Sequence, residues 1–462
     1  MDRRYFMNAL CGAGVGLALR TSGGAETAKN RPPNVLFILP DEWRAQALGC
    51  MGNTEVHTPH LDRLASRGIL FRNTLANTPV CCPARANILT GMYTSRNGMV
   101  ANDLRLRESL ATMSDSFRKA GYRTGYVGKW HLDGGPRSPG FIPPGPRRHG
   151  FDWWAANECN HNYFYNWYFR DANVPIITTQ YEPEVWIELA IEFLYEAQSQ
   201  GQPFFLMVGI GAPHDPYVIP EKYLEMYKPD ALKMQPNWVP GVRGGSRKDI
   251  AAYYGAITAI DDQVGRLMSA LEELGFEEDT IVLFSSDHGN MLGDHGKILK
   301  RKPWEESIRV PGILRYPRRV KSGQQKDALF SHVDIAPTLL ALCGIPVPTE
   351  MQGTNLSSVV LGTSDQGPSS AFFQILGPYY AGGVLHAWRG VRTERYMYAR
   401  TKSQPWLLYD LQEDPYELKN LINDPGASSV RENLENSLEG WMRKIEDSWA
   451  LDWTVPVEDA GR

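Results

Sequence analysis

The chain has 462 residues, of which 42% are hydrophobic and 22% charged, with a formal net charge of −4 and a pI of about 6.2. These values are ordinary for a globular protein with one large and one smaller domain, and they exclude an overall basic protein that binds nucleic acid or anionic membranes by charge. A small anionic substrate would need only a local positive pocket. Six cysteines in so long a chain do not form a disulfide scaffold, and four of them either pair or stay free: Cys50, Cys82, Cys159 and Cys343.

The first segment, residues 1–30, carries two neighbouring arginines, Arg3 and Arg4, before a short run rich in Gly and Ala from Ala9 to Leu19. This run is too short to cross a bilayer and is typical of a signal peptide, and the paired arginines resemble a Tat export signal. We expect cleavage after Ala25, a polar tail up to Asn30, no integral membrane segment in the mature chain, and a bacterial protein that is periplasmic or secreted. The alternative is that these residues form a short amphipathic N-terminal segment of a cytoplasmic protein.

Apolar runs then alternate with helical patterns, which predicts an α/β fold with a mostly parallel central sheet flanked by helices. The runs are apolar without alternation, as in strands buried on both faces. Strands are predicted at 34–39, 124–127, 203–209 and 280–284. A helix is predicted from Ile250 to Leu274, after a long surface loop over 228–248 that is rich in Gly and Pro.

Gly, Ser, Thr and Asp dominate residues 362–370, which predicts a domain junction. We therefore divide the mature chain into a large domain over 31–365 and a C-terminal subdomain over 366–462. Short strands are predicted in the subdomain at 385–391, 395–400 and 406–410, followed by a helix from Ser429 to Trp449. This pattern predicts a small antiparallel sheet with a helix packed on one face.

Each strong strand candidate of the large domain is followed by polar residues that a buried strand does not carry. In chain order these residues are Asp41 and Glu42, then Lys129 and His131, then His214, and finally Asp287 and His288. In an open α/β sheet, ligands bind beyond the carboxyl ends of the strands, so the four segments would deliver these groups to one crevice. A lone His214 would more often be satisfied by local hydrogen bonds, but recurrence on four strands predicts a site. The oxygen-rich set of Asp41, Glu42, Asp287 and His288 suits Ca²⁺ or Mg²⁺ better than Zn²⁺.

A further candidate is the segment Cys81-Cys82-Pro83-Ala84-Arg85, in which the proline predicts the start of a helix. Free N–H groups and the positive end of the helix dipole favour an anion there, and Arg85 can hold oxyanions with two hydrogen bonds. Taken alone, Cys81 is either a structural cysteine or a thiolate nucleophile.

This segment, continued by Leu89-Thr90-Gly91, resembles the C-x-P-x-R…T-G signature of the formylglycine-dependent (type I) sulfatases of the alkaline phosphatase superfamily. Other stretches also resemble that family, and in particular its exported bacterial glycan sulfatases: 58–65, 121–132, 304–311 and 333–339. The resemblance implies an alkaline-phosphatase-like large domain with a smaller C-terminal sheet domain. It also implies conversion of Cys81 to formylglycine by a maturation enzyme, a bound calcium ion, and a sulfated carbohydrate as substrate.

The resemblance implies metal ligation by Asp41, Asp287, His288 and the modified Cys81. His288 stands where many relatives have Asn. Glu42 stands where the family usually has a second Asp. It therefore either binds the calcium ion directly or contacts the metal ligands without binding the ion.

The resemblance also implies roles in catalysis. Formylglycine hydrates to a geminal diol, one hydroxyl of which attacks sulfur while Asp287 accepts its proton. The groups expected to stabilise the sulfuryl oxygens are Arg85, Lys129 and Lys300. His214 would protonate the leaving alcohol, and His131 would take the second diol proton, which expels sulfate. Lys300 is preferred over Arg301 and Lys302, for which we expect solvated charge.

The identity of the sulfated sugar is open. Trp153, Trp154, Glu158 and His161 either line a sugar subsite or pack the domain edge. Three alternative functions remain at this stage: a phosphodiester, phosphomonoester or phosphonate monoester hydrolase of the same superfamily, a noncatalytic sulfated-glycan binding protein, and a cysteine hydrolase.

Overall fold

The computed structural model describes residues 31–377, 386–447 and 449. The predicted signal peptide of residues 1–30 and the first residue of the strand predicted at 385–391 lie outside these ranges. The described residues from Pro33 onward form one compact unit. The boundary between 365 and 366 stays a prediction.

The strands of the described residues are β1 (Asn34–Pro40), β2 (Ile69–Leu75), β3 (Arg123–Lys129), β4 (Trp153–Asn157), β5 (Asn166–Tyr168), β6 (Ile176–Thr178), β7 (Phe204–Ile210), β8 (Thr280–Ser285), β9 (Arg309–Val310), β10 (Gly312–Arg315), β11 (Gln324–Ser331), β12 (Ala371–Ile375), β13 (Trp388–Arg392), β14 (Tyr396–Thr401) and β15 (Pro405–Asp410). The α-helices are α1 (Pro59–Ser66), α2 (Cys81–Thr90), α3 (Thr94–Asn97), α4 (Met113–Lys119), α5 (Glu182–Gln200), α6 (Glu221–Leu224), α7 (Arg247–Glu273), α8 (Glu305–Ile308), α9 (His332–Leu342), α10 (Ser357–Val360) and α11 (Ser428–Lys444).

The main sheet has the strand order β11-β2-β10-β8-β1-β7-β3-β4, with β9 beside β2. Its centre is parallel: Val35 of β1 pairs with Phe205 of β7 on one side and with Ile281 of β8 on the other. β10 runs antiparallel to both of its neighbours. The predicted mostly parallel sheet is therefore confirmed, and the four strands with polar ends (β8, β1, β7 and β3) are adjacent in it.

Helices cover both faces of this sheet, because its central strands are apolar on both sides. One hydrophobic cluster joins the sheet to α5 and α7, and the other joins it to α2, α4 and α9. α7 begins three residues before the predicted Ile250, since Ser246 and Asp249 form a capping box that satisfies the first N–H groups. The loop that precedes α7 contains one short 3-10 helix, Pro229–Ala231.

A second sheet, antiparallel and ordered β12-β13-β14-β15, packs on α11, as predicted for this region. Neighbouring residues of β12 face opposite ways: Phe372 contacts the α11 side, whereas Phe373 packs with Trp304 on the side of the main sheet. The sequence does not predict β12. The predicted helix end at Trp449 is wrong, because α11 stops at Lys444 and Glu446 takes a left-handed φ of 56° that a helix does not accommodate.

Within the described ranges, no helix has both the length and the apolar character that crossing a membrane requires. The cysteines described, Cys50, Cys81, Cys82, Cys159 and Cys343, are free thiols.

Candidate active site

Cys81 is the first residue of α2 and is 2% exposed. Its Sγ lies 3.2 Å from Nε2 of His288 and 3.8 Å from Oδ1 of Asp41. Burial and Asp41 raise the pKa of the Cys81 thiol, but Lys300, Lys129 and His288 outweigh them and hold it well below its ordinary value. The pocket around position 81 therefore favours an anion.

Four buried residues offer metal-ligand atoms that all lie within 4.8 Å of one another: Asp41, Cys81, Asp287 and His288. Burial and the nearby Asp41 raise the pKa of Asp287. For Asp41, burial also opposes ionisation, but Lys129 in particular lowers its pKa well below the ordinary value. Two fully buried carboxylates with one imidazole fit a divalent cation, because such an ion would compensate charges that are otherwise costly to bury.

Arg85 and Lys129 bring positive charge to the same carboxylates. Arg85 Nε donates to Asp287 Oδ2 at 3.0 Å, and its Nη1 donates to the Lys129 carbonyl at 2.9 Å. Lys129 Nζ contacts Asp41 Oδ2 directly. Arg85 Nη2 is buried without a hydrogen-bond partner, so this N–H group can take an additional acceptor such as an oxyanion.

Glu42, His214 and Lys300 form a second cluster beside the first. Lys300 Nζ donates to Glu42 Oε2 at 2.7 Å and lies 2.7 Å from His214 Nε2, which is itself 2.9 Å from Glu42 Oε2. Burial opposes ionisation of Glu42, but His214 and Lys300 lower its pKa to about 2. Burial lowers the pKa of His214, whereas Glu42 raises it, with a net upward shift. Glu42 Oε1 has no hydrogen-bond partner.

His131 follows β3 and adopts a left-handed φ of 60°. Its Nε2 lies 3.3 Å from Asp103 Oδ1, and the backbone N–H of Asp103 donates to the thiol of Cys82 at 3.4 Å. His131 is thus joined to the cluster through the residue next to Cys81. The sequence does not point to Asp103, because it lies in an irregular loop away from the strand ends.

The structure answers two questions about the surrounding residues that the sequence left open. Trp154 packs in the core against Tyr126 and Trp130, and Glu158 is buried and accepts the backbone N–H groups of Asp133 and Gly134, so both pack the domain edge. His161 instead reaches the site: its ring stacks on that of His214 with centroids 4.1 Å apart.

Lys302 corrects one expectation. The prediction that its ammonium group is exposed to solvent is wrong, because the residue is 5% exposed and its Nζ donates to the Ile298 carbonyl at 2.9 Å. Burial and the neighbouring cations, Arg301 first among them, lower its pKa to about 7.

The family model "Sulfatase" matches residues 33–345, and the model "N-sulphoglucosamine sulphohydrolase, C-terminal" matches 293–444. An ulvan-active sulfatase of Formosa agariphila is 38% identical over 90% of this chain and 82% of its own. An endo-4-O-sulfatase of Bacteroides thetaiotaomicron is 29% identical over 94% of this chain and 97% of its own.

Among solved structures, the sulfatase yidJ of Bacteroides fragilis superposes with a TM-score of 0.84 and 31% identity, over 94% of this chain and 99% of its own. The superposition thus covers nearly the whole of both chains. The chain belongs to the sulfatase family, whose members hydrolyse sulfuric esters.

Proposed function

We propose that this protein removes sulfate from a sulfated carbohydrate, with formylglycine at position 81 and calcium as the metal ion. The observation that carries the proposal is the position of Cys81: it is buried at the start of α2 between Asp41 and His288. Three cationic side chains converge on the same carboxylates and thiol: Arg85, Lys129 and Lys300. A sulfate ester is an anion, and such a pocket complements it.

Asp41, Asp287, His288 and the modified residue 81 would hold the calcium ion. Glu42 would contribute its unpartnered Oε1, since Asp41, Glu42 and His214 also offer ligand atoms within 4.8 Å of one another. When bound, calcium would act as a Lewis acid on a sulfate oxygen and lower the pKa of the attacking hydroxyl.

Hydrated formylglycine would supply the attacking hydroxyl at sulfur and a second hydroxyl for release of sulfate. Asp287 Oδ1 or Oδ2 would accept the proton of the attacking hydroxyl, and Arg85 Nε keeps this carboxylate oriented through its 3.0 Å bond. Lys129, Lys300 and Arg85 Nη2, which has no hydrogen-bond partner, would hold the sulfuryl oxygens as their negative charge shifts in the transition state.

His214 would donate the proton to the leaving alcohol from Nε2, because Glu42 stabilises its protonated form. His131 would take the proton of the second hydroxyl, and the Asp103 carboxylate beside its Nε2 would stabilise the resulting imidazolium. Both histidines are thus held by a neighbouring carboxylate, His214 by Glu42 and His131 by Asp103.

A carbohydrate substrate is supported by the names of the relatives, which act on ulvan or on a 4-O-sulfated substrate according to their descriptions. His161, stacked on His214, would lie on the leaving-group side and contact the sugar. The paired arginines of residues 1–30 support export to the periplasm or the medium, with a formylglycine-generating enzyme as the maturation partner.

The deciding experiment is a desulfation screen on defined sulfated oligosaccharides, using protein co-expressed with a maturation enzyme. We expect release of sulfate from at least one oligosaccharide. The mass of the peptide that contains position 81 should show formylglycine in place of cysteine.

Matched aryl sulfate and aryl phosphodiester substrates provide the control. A faster reaction with the phosphodiester would overturn the sulfate assignment. Retention of cysteine at position 81, in an inactive protein that still binds sulfated glycans, would indicate a noncatalytic binding protein.

A further inference from the structure

A second cluster of metal-ligand atoms lies outside the active site, where the large domain meets the second sheet. His295, Glu306 and Glu417 each offer one ligand atom, all within 4.8 Å of one another. His295 follows β8, Glu306 belongs to α8, and Glu417 follows β15. None of these three residues has a role in the proposed reaction.

The cluster is deeply buried and contains more hydrogen-bond acceptors than donors. Glu306 is 4% exposed and Glu417 is 1% exposed, yet Glu306 Oε2 and Glu417 Oε1 have no hydrogen-bond partner. One oxygen of each carboxylate is therefore left without a hydrogen bond in a region from which water is largely excluded. Buried polar atoms of this kind are rare in folded proteins and indicate an additional group.

Asn237 shows the same shortage of donors. Its Nδ2 lies 2.8 Å from Glu306 Oε1, 3.1 Å from the Tyr416 carbonyl and 3.0 Å from His295 Nε2, which is a third acceptor when the His295 proton is on Nδ1. An amide nitrogen has two hydrogens, so one acceptor remains unsatisfied. The Oδ1 of Asn237 is buried without a partner, and turning the amide over would present this oxygen to the cluster.

The imidazole is suited to a metal rather than to an ion pair. Burial lowers the pKa of His295 to about 4, so the ring is neutral near pH 7. Its Nε2 lies 3.9 Å from Glu306 Oε2, a separation compatible with two ligands each about 2.1 Å from one ion. Burial raises the pKa of Glu306 although Asn237 and Arg44 lower it, and burial together with Glu306 and Glu305 raises that of Glu417.

We propose that His295, Glu306 and Glu417, with the turned amide of Asn237, form a second metal site that takes a divalent transition-metal ion, with Zn²⁺ as the best match. One imidazole nitrogen and two carboxylates are a donor set that zinc accepts, whereas calcium prefers oxygen ligands alone. The ion would join the loop between β8 and α8 to the segment after β15. Lys300 of the active site lies on that loop, so the ion would also help to hold its position.

The experiment compares the metal content of wild type, Glu417→Gln and Glu413→Gln. Each is incubated with zinc, passed through a desalting column and analysed by mass spectrometry under native conditions and by elemental analysis. Calcium is kept in excess so that it occupies the active site, and we then expect one zinc per chain in wild type and in Glu413→Gln, whose side chain is exposed, and none in Glu417→Gln. Zinc should raise the melting temperature of wild type and of Glu413→Gln, but not that of Glu417→Gln.

The main competing explanation is that Glu417 is a neutral carboxylic acid sharing its proton with Glu306. Glutamine would mimic that acid, so Glu417→Gln would then match wild type in melting temperature and zinc content, and the proposal would be overturned. Absence of retained zinc in wild type would overturn it as well. If Glu417→Gln does not fold, Co²⁺ added to the calcium-saturated wild type decides: visible absorption bands of a coordinated ion support the site, and their absence refutes it.

Discussion

At the scale of single residues, the chemistry of Cys81 depends on its neighbours. Burial and Asp41 act against an anion at this position, and three cationic groups reverse that balance. The same logic applies to His214, whose protonated form depends on the Glu42 carboxylate 2.9 Å away. Both residues therefore take their roles from side chains supplied by other strands.

We expect Cys81→Ala to abolish turnover of sulfate esters, with a loss of about four or more orders of magnitude, because no other group replaces the nucleophile. The protein should remain folded, as judged by circular dichroism and the melting temperature. Cys50→Ala is the matched control, since Cys50 lies beside Asp62 and away from the cluster, and it should keep wild-type activity. Normal turnover by Cys81→Ala would disprove the nucleophile assignment.

His214→Ala should slow the release of sugar alcohols by about 10²- to 10⁴-fold and affect nitrophenyl sulfate much less, because a good leaving group needs little protonation. Glu42 raises the pKa of His214 against the effect of burial, so the acid is fully available below this pKa. The rate should consequently fall as pH rises through it, and this alkaline limb should be absent in His214→Ala. The measurement is kcat against pH for a sugar sulfate and an aryl sulfate.

The control for this prediction is His57→Ala, because His57 is exposed. It should leave both rates and the pH profile unchanged. Equal losses on the two substrates in His214→Ala would remove His214 from the role of general acid.

At the scale of elements, the carboxyl end of β7 is held by α5. Glu182, the first residue of α5, is 3% exposed and accepts the backbone N–H groups of Gly211 at 2.8 Å and Ala212 at 3.4 Å. These contacts fix the segment that continues to His214. Helix α5 thus positions a site residue although it contributes none itself.

Glu182 also predicts a dependence of stability on pH. Burial raises its pKa from 4.5 to about 7, so the folded chain retains a proton that the unfolded chain releases. The stabilisation is fully present below pH 4.5 and is lost as pH rises through about 7, a change on the order of 3 kcal/mol. Glu182→Gln should therefore have a smaller fall in the free energy of unfolding over this range than wild type, measured by urea denaturation at several pH values.

Glu188→Gln is the matched control on the same helix, because Glu188 is exposed. It should retain the slope of wild type. Glu158 and Asp261 also have pKa values raised to about 7, chiefly by burial, so the difference between variant and wild type isolates the contribution of Glu182. An unchanged slope in Glu182→Gln would contradict the prediction.

At the scale of the whole molecule, the site lies where four adjacent strands end and where charge of both signs is buried. Asp41, Asp287, Arg85 and Lys129 are all 1% exposed or less. Such groups are stable in the interior only when they compensate one another or bind an ion. The folded state and the bound cation should therefore stabilise each other.

Removal of divalent ions with a chelator should abolish desulfation and lower the melting temperature, because only Arg85 and Lys129 would then offset the repulsion between Asp41 and Asp287. An ion present at about a thousand times its Kd contributes about 4 kcal/mol to folding. Calcium should restore both properties, in wild type and in Glu417→Gln alike. Chelator already saturated with calcium is the control, and full activity in protein shown to be free of metal would contradict the prediction.

Much of the fold and the site is predictable from the sequence. The four strands appear as continuous apolar runs, and the groups that follow them (Asp41, Lys129, His214, Asp287) are local to the strand ends. Parallel topology then requires these ends to meet at one edge of the sheet. β12 and the true end of α11 are not predictable, because the partner sheet and a single left-handed residue decide them.

The sequence by itself therefore determined the α/β class, the nucleophile segment and most of the charged groups, since strand periodicity and the cysteine motif are local properties of the chain. Only the tertiary structure decided that Glu42 contacts Lys300 and His214, that Lys302 is buried, and that His161 stacks on His214. It also brought Glu417 to His295 and Glu306. These contacts join residues far apart in the chain, and their geometry depends on how the sheets and loops pack.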